Sequence, residues 1–246
     1  AVNYNRDIEV FPVLNAMFNM ILGESPYKSP TDMGVNMAGF CIVNDEACRR
    51  ASLQEIIRRY YNIRCRFKQG EATESEVMKI DLIMKKAGLE ETERRVVAPA
   101  LKKAAETGSP AAAIELPSGK ILTGKTSDLL GASAALLLNS LKELAGIADD
   151  ILLISPVVIE PIQKLKVEHL GNENPRLHTD EVLLALSICA ATNPTAALAL
   201  RQLKKLRGSE VHSSVILSSV DMNTFKKLGI NVTCEPVYQT KNLYHR

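Results

Sequence analysis

The apolar pattern of this chain changes period near residue 105, and no other feature constrains its fold as strongly. Upstream, apolar residues recur at helical spacing. "FPVLNAMFNMIL" puts Pro12 near a helix start with Val13, Leu14, Met17 and Ile21 on one stripe, which predicts a core-facing helix. "NDEACRRASLQEIIRRYYNIRCRFKQG" has Asn44 as N-cap, acids in the first turn and Gly70 after the last, the marks of a long helix. In "TESEVMKIDLIMKKAG", Thr73 and Glu76 stand at capping-box spacing and Gly88 closes the helix. "ETERRVVAPALKKAAETG" predicts a further helical segment interrupted or restarted at Pro99.

Downstream the pattern alternates. "AAAIELPSGKILTGKTS" predicts two short strands around a Pro-Ser-Gly turn, and "DLLGASAALLLNSLKELAG" a buried helix with Ser127 or Asp128 as N-cap. "DILLIS" predicts a strand. "TDEVLLALSICAAT" and "NPTAALALRQLKKLRG" predict helices capped by Thr179 and Asn193, and the chain closes on strand "SSVILSS", helix "DMNTFKKLG" and strand "INVTCEPV". Strands alternating with helices imply a layered sheet. The expected class is α/β: an all-α subdomain over residues 1–104, then a layered α/β subdomain over residues 105–246, with neither tandem repeats nor a low-complexity linker.

Composition narrows the function. A net charge of +2, 4% aromatics and no Trp give neither the basic footprint nor the stacking platform of a nucleic-acid binder. No apolar run approaches the roughly 18 residues of a membrane span, and no basic-apolar leader precedes the first element, so a cytoplasmic protein is expected. Cys41, Cys48, Cys65, Cys189 and Cys234 are odd in number and scattered, which predicts reduced, mostly buried thiols. The opening "AVNYNRDIEVFPVL" reads like the interior of a domain, so a longer parent protein is expected.

Three polar clusters are candidate sites. The run from Gly119 to Thr126, "GKILTGKT", satisfies the phosphate-loop pattern G-x-x-x-x-G-K-[ST] between a strand and a helix. A return strand through "KILT" would commit the amides that such a loop needs free, and "DILLISP" carries no aspartate at its end to help hold Mg²⁺. A weaker reading keeps Gly124, Lys125, Thr126 and Ser127 as an anion site before a helix N-terminus.

"KVEHLGNENPRLHTDE" gathers His169, Asn172, Asn174, Arg176 and His178 within ten residues. Imidazoles exchange protons near neutral pH, amides orient a ligand, and a guanidinium grips a carboxylate or phosphate. Glu210 and His212 in "SEVH" would share one strand face, where a carboxylate tunes a base. Asn3, Asn5, Arg6 and Asp7, joined by Thr31, Asp32 and Asn36, have loop composition and suit an interface. Metal chemistry is disfavoured: four histidines occur without H-E-x-x-H or paired Cys/His spacing. G-x-S-x-G is absent, and "GAS" at Gly131–Ser133 lies in a helix pattern, where small residues permit close packing. The sequence does not identify a cofactor.

The runs "AVNYNRDIEVFPVLN", "SPTDMGVNMAGF", "QEIIRRYYN", "GKTSDLLG", "PIQKLKVEHLGNENPRLHTDE", "GSEVHSSVILS" and "LGINVTCEPVYQ" together resemble the C-terminal half of the bacterial domain-of-unknown-function family 1846, also called uncharacterised protein family 0371. The resemblance covers nearly the whole chain. It implies an absent N-terminal half that looks nucleotide-hydrolase-like, and a helical subdomain followed by an α/β subdomain similar in topology to cytidine deaminases. Deaminases need H-x-E on the helix after the hairpin and P-C-x-x-C later. That helix here carries "LLGASAALLL" and P-C-x-x-C occurs nowhere, so the zinc site is not implied.

Two functions are consistent with these features. One is the ligand-binding or catalytic half of an enzyme acting on a small anionic, phosphorylated or nucleotide-like substrate: Lys125, Thr126 and Arg176 hold the anion, His178 or His212 exchanges protons, Asn172 and Asn174 orient. The other is a non-catalytic assembly module that docks on the absent half and builds a homo-oligomer. Convergence of "GKTS", "NENPRLH" and "SEVH" on one cleft would favour the first.

Overall fold

The structure, a computed structural model, describes residues 4–28 and 45–239. Asn3, Thr31, Asp32, Asn36, Cys41 and Asn44, and the side chains of Asn5 and Arg6, lie outside the described residues. The chain divides into two compact units, Ala1–Arg94 and Arg95–Arg246.

The first unit is helical. Helix α1 spans Tyr4–Leu22, α2 Asp45–Lys68 and α3 Glu74–Ala87, followed by a single 3₁₀ turn at Glu91–Glu93. Ile56, Ile57 and Tyr61 of α2 and Ile80, Ile83 and Met84 of α3 form its buried face. The Thr73–Glu76 capping box forms as its spacing predicts, and Gly88 ends α3 at φ +65°, a left-handed conformation that favours glycine. Arg64 donates to both Asp81 oxygens at 2.9 and 3.0 Å and lies 4.5 Å over the Tyr60 ring. Both partners of that ion pair are over a third exposed, so it adds about 0–1 kcal/mol. Burial and the Glu91 carboxylate push the Tyr60 hydroxyl up from its ordinary value.

Two expectations for α1 are corrected. Pro12 is inside the helix, eight residues after its start, and the stripe of Val13, Met17 and Ile21 is exposed, Ile21 to 73%. Ile8 and Pro12, one turn apart, are the buried pair instead. The spacing identified a helix but not the face it buries.

In the second unit, α4 (Val97–Thr107) leads into strands β1 (Ala111–Glu115) and β2 (Ile121–Lys125), then α5 (Ala132–Ala145). Pro99 stands in the first turn of α4, where its missing N–H costs nothing. Next come α6 (Pro156–Lys164) with a π turn at Leu165–His169, α7 (Thr179–Ala190), α8 (Pro194–Leu200) and a 3₁₀ turn at Leu203–Leu206. Strand β3 (Glu210–Ser213), α9 (Ser219–Lys227) and β4 (Asn231–Cys234) complete it.

The sheet order is β2-β1-β3-β4. β1 pairs antiparallel with β2 (Ala113 opposite Thr123) and with β3 (Ala113 opposite His212), while β3 and β4 are parallel. Four of the five β1 residues are buried because both faces are covered. Ala113 packs with Val96 and Ala100 of the α4 segment, whereas Ala112 and Ile114 join Leu136, Leu137 and Leu141 of α5 in the main core. Helix α4 belongs to the second unit, where it packs on β1 and β2.

Several expected elements shift. "DILLIS" forms no strand: Leu153 and Ile154 enter the core from a turn, and Pro156 opens α6. The strand expected at "SSVILSS" ends at Ser213, and Ser218 caps α9. Helix α5 begins after Gly131, not at Ser127 or Asp128, because residues 127–130 turn back and Leu130 bridges Leu177. His178, not Thr179, is the N-cap of α7. Cys234 alone of the described cysteines is buried; Cys48, Cys65 and Cys189 are half-buried.

Candidate functional site

A small cleft in the second unit gathers the ends of several elements. Thr126 at the end of β2, Gly131–Ser133 at the start of α5, Asn174, Arg176 and His178 before α7, and Ser218 and Asp221 at the start of α9 line it. Its volume of about 30 Å³ admits one small polar group. The loop before α7 is held by its backbone: Leu177 donates to Leu129 O at 3.0 Å, and Gly131 donates to Leu177 O at 3.2 Å.

At the centre is a His–Asp pair. His178 Nδ1 lies 3.1 Å from Asp221 Oδ2, and Thr179 N donates to Asp221 Oδ1 at 2.9 Å. Ser218 Oγ donates to Asp221 Oδ2 at 3.1 Å and accepts from the Asp221 amide at 3.2 Å. Asp221 is only 7% exposed. Burial pushes its carboxyl up, but the bond and charge of His178 and the Thr179 amide outweigh that, leaving it below the usual carboxylate range. The hydrogen bond to Asp221 raises the His178 ring; burial and the Lys166 charge lower it, and the net direction is up. Its Nε2 makes no hydrogen bond among the described residues.

Arg176 donates from Nε to Ser127 O at 2.7 Å, and its amide donates to Asn174 Oδ1 at 3.2 Å. Its terminal guanidinium nitrogens make no hydrogen bond among the described residues. Behind the loop, Lys166 in the π turn is 4% exposed and donates to Arg176 O and Glu181 Oε2, both at 2.7 Å. Glu181 Oε2 also accepts from the His178 amide at 2.8 Å. A lysine so buried is stabilised by these two acceptors. The Ser133 hydroxyl, in the first turn of α5, is buried without a hydrogen-bond partner among the described residues.

Of the sequence candidates, Thr126, Asn174, Arg176 and His178 meet here, and the others do not. Gly124 serves packing: an added Cβ would stand 2.4 Å from Leu136 N. Its amide region belongs to the β1–β2 ladder, opposite Ala112. Lys125 is exposed on β2 and absent from the cleft lining. Ser127 makes the turn, its Oγ accepting from Leu130 N at 3.1 Å. His169 and Asn172 are exposed on the loop. His212 is buried in β3, with Nδ1 2.8 Å from Thr233 Oγ1 and Nε2 3.0 Å from Glu235 Oε1, so its carboxylate neighbour is Glu235. Glu210 accepts from Asn231 Nδ2 at 2.8 Å instead.

Lys166, Ser133, Glu181, Ser218 and Asp221 were missed by the sequence reading. Ser218-x-x-Asp221 is a capping pattern visible in the sequence, and Lys166 falls at helical spacing from the apolar Ile159 and Ile162. Among the described residues no group of three His, Cys, Asp or Glu side chains is placed to hold a metal ion, and no helix is long and apolar enough to cross a membrane. Two other hollows lie in the helical unit. One, of about 310 Å³, borders Lys28 and Glu46, beside residues outside the description; the other is an open groove at Tyr60, Arg64 and Asp81.

Helices followed by a four-stranded mixed sheet with helices on both faces define a mixed α/β protein with a His–Asp pair at converging helix ends. The chain belongs to the family described as domain of unknown function DUF1846: the N-terminal model matches residues 1–88 and the C-terminal model residues 92–244. It is 56% identical over 245 residues to UPF0371 protein str1377 of Streptococcus thermophilus strain CNRZ 1066, and 55% identical over 245 residues to a UPF0371 protein of Streptococcus pneumoniae strain JJA. Each alignment takes in all of this chain and 50% of the relative, so the chain spans about half the length of the curated relatives it matches.

Proposed function

We propose that the cleft binds a small anionic ligand, and that the chain is the ligand-binding or catalytic half of an enzyme acting on a phosphorylated or nucleotide-like substrate. The observation that carries this reading is the convergence of Arg176 and His178 on one cleft with Thr126 and the first turn of α5. The guanidinium and the imidazolium supply charge, and the helix end supplies oriented amides. Asn174 also fixes the loop, its Oδ1 accepting from the Arg176 amide. Lys125 and His212 leave the proposal, the first for its exposed place on β2 and the second for its burial in the sheet.

A cytidine-deaminase-like topology is part of the proposal. It is supported by a hairpin whose first strand is antiparallel to both neighbours, and by α5 and α9 presenting their N-termini to one cleft. Those ends carry Ser133, Ser218 and Asp221, and the H-x-E and P-C-x-x-C of a deaminase zinc site are absent from the sequence. The division into a helical part and an α/β part, and a cytoplasmic location, belong to the same reading.

Thermal unfolding against a panel of inorganic phosphate, sugar phosphates and nucleotides tests it. A ligand at about 100 times its Kd adds about 2.7 kcal/mol, several degrees in Tm for a chain of this size. Arg176→Ala should abolish the shift and Lys125→Ala should leave it. No shift with any member of the panel would sink the reading. The assembly alternative, docking on a nucleotide-hydrolase-like half of a longer protein or forming a homo-oligomer, draws support from Leu184 and Ile188. These two apolar side chains are exposed one turn apart on α7. Light scattering of the purified chain tests for self-association.

A further inference from the structure

We propose that the cleft takes the terminal group of a phosphate monoester together with a proton, and that His178 Nε2 carries that proton to the ligand. This rests on the anion-binding reading above and adds the ligand class and its linkage to pH. Three separate segments supply donors: the terminal guanidinium nitrogens of Arg176, which make no hydrogen bond among the described residues, the His178 ring and the first turn of α5 beside Thr126. Donors converging from three directions suit a tetrahedral group with three equivalent oxygens better than a planar carboxylate. A cleft of about 30 Å³ leaves all of the ligand but its terminal group outside.

The ring is oriented for this role. Asp221 holds Nδ1, with Ser218 Oγ 3.4 Å away, and the other Asp221 oxygen is fixed by the Thr179 amide, so Nε2 is the ring nitrogen with no hydrogen bond among the described residues. The charged groups that act on His178 come from three elements: Asp221 from α9, Glu181 from α7 and Lys166 from the π turn, with Arg176 on the same cleft. The two carboxylates favour the imidazolium and Lys166 opposes it. A neutral ring presents Nε2 as a lone pair, which repels an anion's oxygen; the protonated ring presents N–H. Binding at high pH therefore draws a proton from solvent.

The test uses inorganic sulfate, whose charge is constant across the range, with calorimetry from about pH 5.5 to about pH 8.5. Affinity should fall by up to about tenfold per pH unit above the His178 transition. Titrations in two buffers of different ionisation enthalpy should show uptake approaching one proton per sulfate at the high end. His178→Gln should remove the pH dependence, and Asp221→Asn should move it to lower pH. Phenyl phosphate should displace sulfate at lower concentration than benzoate. Sulfate binding with no proton uptake, pH dependence surviving in His178→Gln, or preference for benzoate would overturn this inference while leaving the anion site. Absence of binding by sulfate and phenyl phosphate at every pH would overturn both.

Discussion

The two oxygens of Asp221 hold consecutive residues: Oδ2 takes the ring of His178 and Oδ1 the amide of Thr179. One carboxylate thereby orients a titratable side chain and fixes the first turn of the helix behind it. Asp221 lies below its ordinary pKa, so its contribution is present above about pH 4 and is lost as pH falls through the folded value. His178 is raised, so its contribution is full below about pH 6.5 and is lost as pH rises through its folded value. The pair stabilises most between those limits. Asp221→Asn should cost about 1–3 kcal/mol at pH 5.5 and distinctly less at pH 8.5, read from urea midpoints. Equal losses at both pH values would show that the His178 charge plays no part.

Gly124 offers a test of what the G-x-x-x-x-G-K-T match encodes. Its missing side chain faces the backbone of Leu136, which cannot rotate away as a side chain would. Gly124→Ala should destabilise by about 1–3 kcal/mol through overpacking. Lys125→Ala, one residue on and exposed, should stay within about 0.5 kcal/mol. A phosphate loop would reverse the pattern in ligand binding, with Lys125→Ala the damaging change.

Lys166 should matter beyond its own burial. Lys166→Met removes the donors to Arg176 O and Glu181. It should cost about 2–3 kcal/mol and speed hydrogen exchange at residues 174–178. Since the Lys166 charge lowers the His178 pKa, the variant's ring should titrate higher by NMR. An unchanged exchange pattern would separate Lys166 from the loop.

Asn193 caps α8, its Oδ1 accepting from Thr195 N at 2.9 Å and Ala196 N at 3.3 Å. Asn193→Ala should therefore cost about 1 kcal/mol, and Asn193→Ser should recover most of it in thermal unfolding.

Local chemistry was legible in the sequence where it acts over a few residues. The Thr73–Glu76 box, the Gly88 stop, the Asn193 cap and the hairpin at Pro117–Gly119 all form, because each depends on backbone groups within reach of its own side chains. Readings that depended on a distant surface failed. The stripe from Val13 to Ile21 has helical spacing and is exposed, and the apolar run "DILLIS" has strand composition and fills a core from a turn. Four cleft residues were found from chemistry alone. Asp221 was not, because its role appears only when α9 returns beside α7.

The strand order has a consequence for how the cleft comes into being during synthesis. β1 meets β2 across a short turn, but its other neighbour, β3, and the Asp221 that follows leave the ribosome about ninety residues later. A nascent chain ending before β3 can close the hairpin and stack α4 and α5 on it, yet the His178 ring then lacks the Asp221 carboxylate that holds it. The His178–Asp221 pair is thus among the last features the folding chain acquires, and arrested chains should show helix and hairpin protection well before they show a cleft.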